Sequence, residues 1–325
     1  MIEQTRQQFQ RFGTVEAAGS SPAYERLAAA VAADEAVLAL LESAPPDARS
    51  PTLLFGALRW RGVDVADAPA ALSWAREHPD DLLHVLRTRR TQTNEVARCA
   101  TLLPALAELA ERERRPLALV EVGASAGLAL LYERWAYRWT GTGVDTRVSP
   151  PGAALTLTCA VSGDVPLPAA VPAIGWRAGL DLDPVDVRDP DARRWLSCLV
   201  WPEHTDRAER LVAALDAAAA DRPRVVRGDL VDDLPALLDQ TPPGCTPVVL
   251  HSAALVYVAP DRRAAFVDLL ARRGVHRLGA EGAEVLPAVA ALLRTGTYTD
   301  HRFVVSLDDR PLALAHPHGR SLAGL

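Results

Sequence analysis

The spacing of hydrophobic positions changes along the chain, and each change predicts a different kind of element. Tyr24, Leu27, Ala28, Val31, Val37, Leu38 and Leu41 recur at helical intervals, so they form a core face. Ser21-Pro22 and Ser50-Pro51 each set a capping side chain before a proline suited to a first helical position, and Gly62 ends the second of these helices. Residues 1–88 thus read as a helical region. The spacing then predicts a long helix over 91–112, with Pro104 as a possible kink. Beyond it the pattern becomes one of short apolar runs ending in polar residues. Runs at 117–122, 176–180, 224–227, 247–250 and 275–280 predict buried parallel strands, and 303–307 with 312–315 predict a closing antiparallel hairpin around Asp308-Asp309. The expectation is an α/β domain over 89–325 with about seven strands, mostly parallel. An inserted hairpin is expected over 141–172, where Pro and Gly flank an alternating stretch.

The first of these strands meets a turn of small residues, Gly123, Ala124, Ser125, Ala126 and Gly127, and the apolar residues after it read as a helix carrying Tyr132, Trp135 and Trp139. A helix N-terminus at such a turn offers unpaired amides and a positive dipole end to an anion. Two chemistries fit the turn. One is a pocket of the form acidic residue, x, Gly, x, x, x, Gly, as in S-adenosylmethionine (SAM) enzymes, with Glu121 as the acid. The other is a Gly-x-Ser-x-Gly nucleophile elbow with Ser125 as nucleophile and His251 and an aspartate completing a triad. The elbow fits poorly with a wholly helical stretch upstream that lacks a His-Gly-Gly oxyanion loop.

Ends of parallel strands share one edge of a sheet, so Glu121, Asp181, Asp229, His251 and Glu281 are expected to converge there. Asp181 closes the second strand, where a carboxylate can accept from both hydroxyls of a ribose. Thr91, Gln92, Asn94, Glu95 and Arg98 form a polar patch in a region otherwise built of Ala and Leu, and predict a floor to the pocket. His316 and His318 are expected on the opposite edge, if the sixth strand runs with the sheet and the seventh against it.

Composition narrows the chemistry. All 35 basic residues are arginine, which removes phosphate-loop, kinase and Schiff-base lysines. A net charge of −6 argues against a nucleic-acid surface. The cysteines Cys99, Cys159, Cys198 and Cys245 lack CxxC spacing, so no zinc site or disulfide framework is expected. No stretch is apolar enough for a membrane span or, in 1–13, for a signal peptide. A cytoplasmic protein without membrane or nucleic-acid partners is the expectation.

The motifs ValGluValGlyAlaSerAlaGly, GlyLeuAspLeuAspPro at 179–184 and ArgGlyAspLeuValAspAspLeuPro at 227–235 resemble the class I SAM-dependent methyltransferase core. ArgThrGlnThrAsnGluValAlaArgCys, ValTrpPro at 200–202 and the HisProHisGlyArg tail make nearly the whole chain similar to the bacterial domain of unknown function family 2332. The methyltransferase resemblance implies a Rossmann-like sheet and SAM as cofactor. It implies that Glu121, Gly123, Ala124, Ser125 and Gly127 shape the methionine pocket, that Asp181 takes the ribose, and that Gly228 and Asp229 meet the adenine. The fourth strand ends in His251-Ser252, not in the Asn/Asp-Pro-Pro-aromatic motif of base-methylating enzymes, so a small-molecule O or N acceptor is expected. His251 is then the leading general base, with Glu95, Tyr257 and Glu281 behind it, and Gln92, Asn94, Arg98 and Ser252 line the acceptor side. A domain that binds the cofactor without turnover is the alternative, ahead of the serine hydrolase.

Overall fold

The computed structural model describes residues 2–92, 94–293 and 302–325. The chain divides into two compact units, one of Met1–Thr93 with Arg188–Val212 and one of Asn94–Val187 with Ala213–Leu325. The helical unit therefore includes a later segment that the hydrophobic pattern assigns to the α/β part. Its largely aliphatic core contains an aromatic cluster: Tyr24 and Phe55 lie 4.7 Å apart between ring centres, and Phe12 and Trp201 pack beside them. The Ser21 and Ser50 hydroxyls accept from the amides of Tyr24 and Leu53, as the Ser-Pro pairs predict.

The second unit is built on one eleven-stranded sheet. Its strands are β1 (Leu117–Val122), β2 (Trp135–Gly141), β3 (Val144–Val148), β4 (Leu155–Ser162), β5 (Ile174–Asp181), β6 (Val225–Arg227), β7 (Thr246–Ser252), β8 (His276–Glu281), β9 (Phe303–Leu307), β10 (Arg310–Ala315) and β11 (Ser321–Gly324). They lie in the order β3-β2-β4-β11-β10-β9-β8-β7-β1-β5-β6. The five strands from β8 to β6 are all parallel, and β9–β10 form the expected antiparallel hairpin. The chain leaves β1 toward β5 and β6 and returns on the other side to β7 and β8, so the strand order reverses between β1 and β7. Open α/β sheets bind ligands at such a reversal.

Several expectations need correcting. The sheet has eleven strands rather than seven because four more join it: β3 and β4 from the segment read as an inserted hairpin, β2 from the stretch read as a helix, and β11 after the closing hairpin. β3 pairs antiparallel with β2, and β4 lies parallel between β2 and β11. No regular helix follows the glycine turn. Short 3-10 turns at Leu128–Leu130 and Tyr132–Arg134 lead directly into β2. Trp135, Tyr137 and Trp139 alternate along that strand and are buried; Tyr137 stacks on Trp139 at 5.6 Å, and the Trp139 indole donates to the Ala100 carbonyl. The helix predicted over 91–112 starts only at Cys99 and runs to Glu113. A 3-10 turn at Val96–Arg98 precedes it, capped by the Glu95 carboxylate accepting from the Ala97 amide.

Candidate functional site

The turn after β1 is a left-handed knot of backbone, with Gly123, Ser125 and Gly127 at φ values of +71°, +48° and +69°. Its amides are already spent. Gly123 and Ala124 donate to the Leu180 carbonyl, Ser125 to Asp181 Oδ2 at 2.7 Å, Ala126 to Asn94 Oδ1 at 3.0 Å, and Gly127 to the Ala124 carbonyl. The Asn94 amide nitrogen also donates to Ser125 Oγ at 2.9 Å. The turn therefore offers neither free amides nor a helix N-terminus to an anion, contrary to expectation. Asp181 staples two loops at once, because its Oδ1 accepts from the Asp183 amide at 2.7 Å. Each of its oxygens keeps lone-pair capacity for a further donor.

Side chains that share the sheet edge do not all share a face. Paired residues on neighbouring strands point to the same side, and successive residues alternate. Glu121 pairs with Gly179 on β5 and Leu250 on β7, which puts Glu121, Asp181 and Ser252 on one face. His251 pairs with Gly279, which puts His251, Glu281 and Arg277 on the other. The expected convergence of five residues is thus split across the sheet.

On the first face, Glu121 is 8 % exposed and its Oε2 has no hydrogen-bond partner. Burial, and then the neighbouring Asp181 charge, push its carboxyl well above the ordinary 4.5, against the pull of Arg98. Ser252 Oγ is also buried without a partner. Arg98 is 6 % exposed and donates to backbone from two nitrogens, Nε to the Pro317 carbonyl at 2.7 Å and Nη1 to the Ser252 carbonyl at 3.1 Å. It thereby ties the HisProHisGly turn to the end of β7. That turn lies at the carboxyl edge, correcting the expectation for His316 and His318: β9 runs antiparallel to β8, so β10 runs with the parallel strands and delivers them there. At Gly319 a Cβ would fall 2.3 Å from the Ala97 carbonyl carbon.

On the opposite face His251 has no exposed surface. Its Nδ1 lies 3.0 Å from Glu281 Oε1 and its Nε2 3.3 Å from Arg277 Nη1. A guanidinium can only donate, so Nε2 accepts and the ring proton sits on Nδ1, facing Glu281. Burial lowers the His251 pKa from 6.5 despite Glu281. Arg277 continues the chain to Asp309, and Glu281 Oε1 also accepts from the amides of Ala254 and Leu255. With both nitrogens engaged and no access to solvent, His251 is not placed to act as a general base. It braces Glu281, whose carboxylate holds the loop after β7.

A model of the family DUF2332, described as an uncharacterized protein conserved in bacteria, matches residues 6–64 and 61–323. The chain belongs to that family. No curated protein and no solved structure matches it. In this DUF2332 protein the remaining candidates are distributed as follows. Gly228 donates to the Asp181 carbonyl at 2.9 Å, which puts the loop after β6 beside Asp181. Burial opposes ionisation of Asp229, yet the amides of Val231 and Asp232 and the Arg262 guanidinium hold its pKa below the usual 3.8. Tyr257 is 73 % exposed on the loop after β7. Thr91 and Gln92 lie in the helical unit. The hydrolase triad does not form: Ser125 is 4 % exposed and its hydroxyl meets Asn94 rather than an imidazole. Among the described residues no grouping of three or more His, Cys, Asp or Glu fits a metal ion. No described helix is long and apolar enough to cross a membrane.

The Glu121 shift gives a testable sign. A carboxyl whose folded pKa is raised keeps its proton where the unfolded chain has lost it, so it subtracts stability as pH rises above about 4.5. Glu121→Gln has no such charge to bury. Urea melts at pH 5 and pH 7.5 should show the variant gaining on the parent at the higher pH; parallel curves would mean Glu121 is ordinarily ionised.

Proposed function

We propose that the α/β unit binds SAM at the edge between β1 and β7 and directs methyl transfer to a small-molecule oxygen or nitrogen acceptor. The carrying observation is that Glu121 Oε2 and Ser252 Oγ, on adjacent strands at the strand-order reversal and on one face of the sheet, are both buried without a partner. Buried polar atoms are nearly always satisfied; Glu281 Oε2 is also unpartnered at this edge but on the opposite face, so the pair that shares a face is where a ligand's donors would go. The rest of the edge selects its charge. Spent turn amides and nearby carboxylates disfavour a phosphate-bearing cofactor and favour a cationic nucleoside with hydroxyl donors. Asp181 would accept from the ribose hydroxyls, Asp229 and the loop after β6 would meet the base, and Glu121 with Ser252 would receive the acceptor's amine or hydroxyl donors.

When bound, SAM supplies a methyl group already activated by its sulfonium, so the chain's task is to hold the acceptor in line and keep water out. Because His251 is sealed on the other face, an acceptor that needs strong base assistance fits poorly. The same sealing favours a second reading, a domain that binds the cofactor without turnover.

Calorimetric titration with S-adenosylhomocysteine should show one site. Asp181→Asn should weaken it by about 10- to 100-fold, since a charged acceptor of ribose hydroxyls contributes about 1.5–3 kcal/mol. Absence of binding at millimolar ligand would falsify the reading. Transfer of a labelled methyl group from SAM into a small-molecule extract separates the enzyme from the binding domain.

A further inference from the structure

Three features of the carboxyl edge constrain what shares the crevice with the cofactor. The first is exposed apolar surface. Leu182, directly after Asp181, is 69 % exposed, and Val256 and Tyr257, on the loop after β7, are 51 % and 73 % exposed. β5 and β7 lie on either side of β1 at about 5 Å spacing, so these residues flank the Gly123–Gly127 turn. The loop after β7 touches that turn, since a Cβ on Gly123 would fall 2.7 Å from the Ala254 methyl. Exposed apolar residues on two loops that flank one turn mark a binding surface more than singly scattered ones do.

The second feature is charge. The end of β5 and the loops after β5 and β6 carry Asp181, Asp183, Asp229, Asp232 and Asp233. Against them stand Arg227, paired with Asp183, Arg262, paired with Asp229 and Asp232, and Arg98, whose charge acts on Glu121. The third is Glu121, more than nine-tenths buried, with Oε2 unpartnered on the Asp181 face. An anionic ligand is repelled by this edge, and a purely apolar one leaves Glu121 unsatisfied. An amine meets both demands, and a tyrosine ring face attracts its cationic form.

We propose that the acceptor is a small primary or secondary amine with an apolar body, its nitrogen directed to Glu121 and its body covered by Leu182, Val256 and Tyr257. This rests on the reading that the cofactor occupies the same crevice. The ammonium gives one proton to bulk water as it enters, before the acceptor is enclosed. The nitrogen lone pair then attacks the methyl carbon, the carbon–sulfur bond breaks with its electron pair left on sulfur, and the positive charge moves from sulfur to nitrogen. No side chain has to take a proton during transfer, which agrees with an imidazole sealed away on the other face.

The test uses ligands that share a body and differ in head group: 2-phenylethylamine, 2-phenylethanol and phenylacetate, with hexylamine and cyclohexylmethylamine as further amines. Each is titrated into the full-length protein with and without saturating S-adenosylhomocysteine. The amines should bind about tenfold or more tightly than the alcohol, phenylacetate should give no measurable heat, and Tyr257→Ala should weaken the amines by about tenfold. Alcohol or acid binding equal to that of the amines would overturn the proposal, as would silence from every amine on protein that binds S-adenosylhomocysteine. Amine binding without S-adenosylhomocysteine binding keeps the amine site and removes the methyltransferase reading. Silence from both ligands removes both.

Discussion

Glu281→Ala is expected to destabilise the protein by about 3–5 kcal/mol, because three donors would lose one acceptor inside the core and each stranded group costs about 1–3 kcal/mol. The donors are His251 Nδ1 and the amides of Ala254 and Leu255, all meeting Glu281 Oε1. The damage should spread, since the loop they hold carries Val256 and Tyr257. Glu281→Gln keeps a carbonyl oxygen at that position and should recover a large part of the loss. Urea unfolding followed by circular dichroism measures both variants. A change under about 1 kcal/mol for the alanine variant would show that water already satisfies these groups.

Gly319→Ala should cost about 3 kcal/mol, combining the left-handed backbone penalty with overpacking against main chain that cannot swing aside. Gly319 sits at φ +70°, and the added methyl would meet the Ala97 carbonyl carbon and oxygen at 2.3 and 2.4 Å and the Arg98 amide at 2.7 Å. Gly143 supplies the control. It has a similar φ of +74° and nothing within 4 Å of a Cβ, so Gly143→Ala should show only the backbone part, about 1–2 kcal/mol. Equal losses in thermal melts of the two variants would refute the close packing of the HisProHisGly turn on Ala97.

The strands of the parallel core were legible because each is a short apolar run closed by polar or glycine residues, and the observed ends at Val122, Asp181, Arg227, Ser252 and Glu281 lie within two residues of the expected ones. The stretch after the glycine turn misled for a definite reason. Leu128 to Leu131 is uniformly apolar, and Trp135 and Trp139 are four apart, which fits a helix. The same residues with Tyr137 also alternate with Ala136 and Arg138, and aromatic side chains favour a strand; period two was the informative signal.

The site was harder to read because it depends on parity and direction. Whether His251 or Ser252 shares a face with Glu121 turns on a one-residue difference in register, which no local pattern encodes. The edge on which His316 and His318 emerge turns on the direction of β9. The spending of the turn amides depends on Asn94 and Asp181, 32 and 56 residues from their partners. Asn94 stood out beforehand as a polar residue in an Ala- and Leu-rich stretch, but nothing local showed that it clamps the turn.

β11 lies between β4 and β10, joining the β2–β3–β4 trio to the rest of the sheet. Were Ser321–Gly324 to leave its place, β4 and β10 would each present an open rim. Unpaired rims recruit other strands, so this four-residue seam is what closes the sheet against pairing with a second copy.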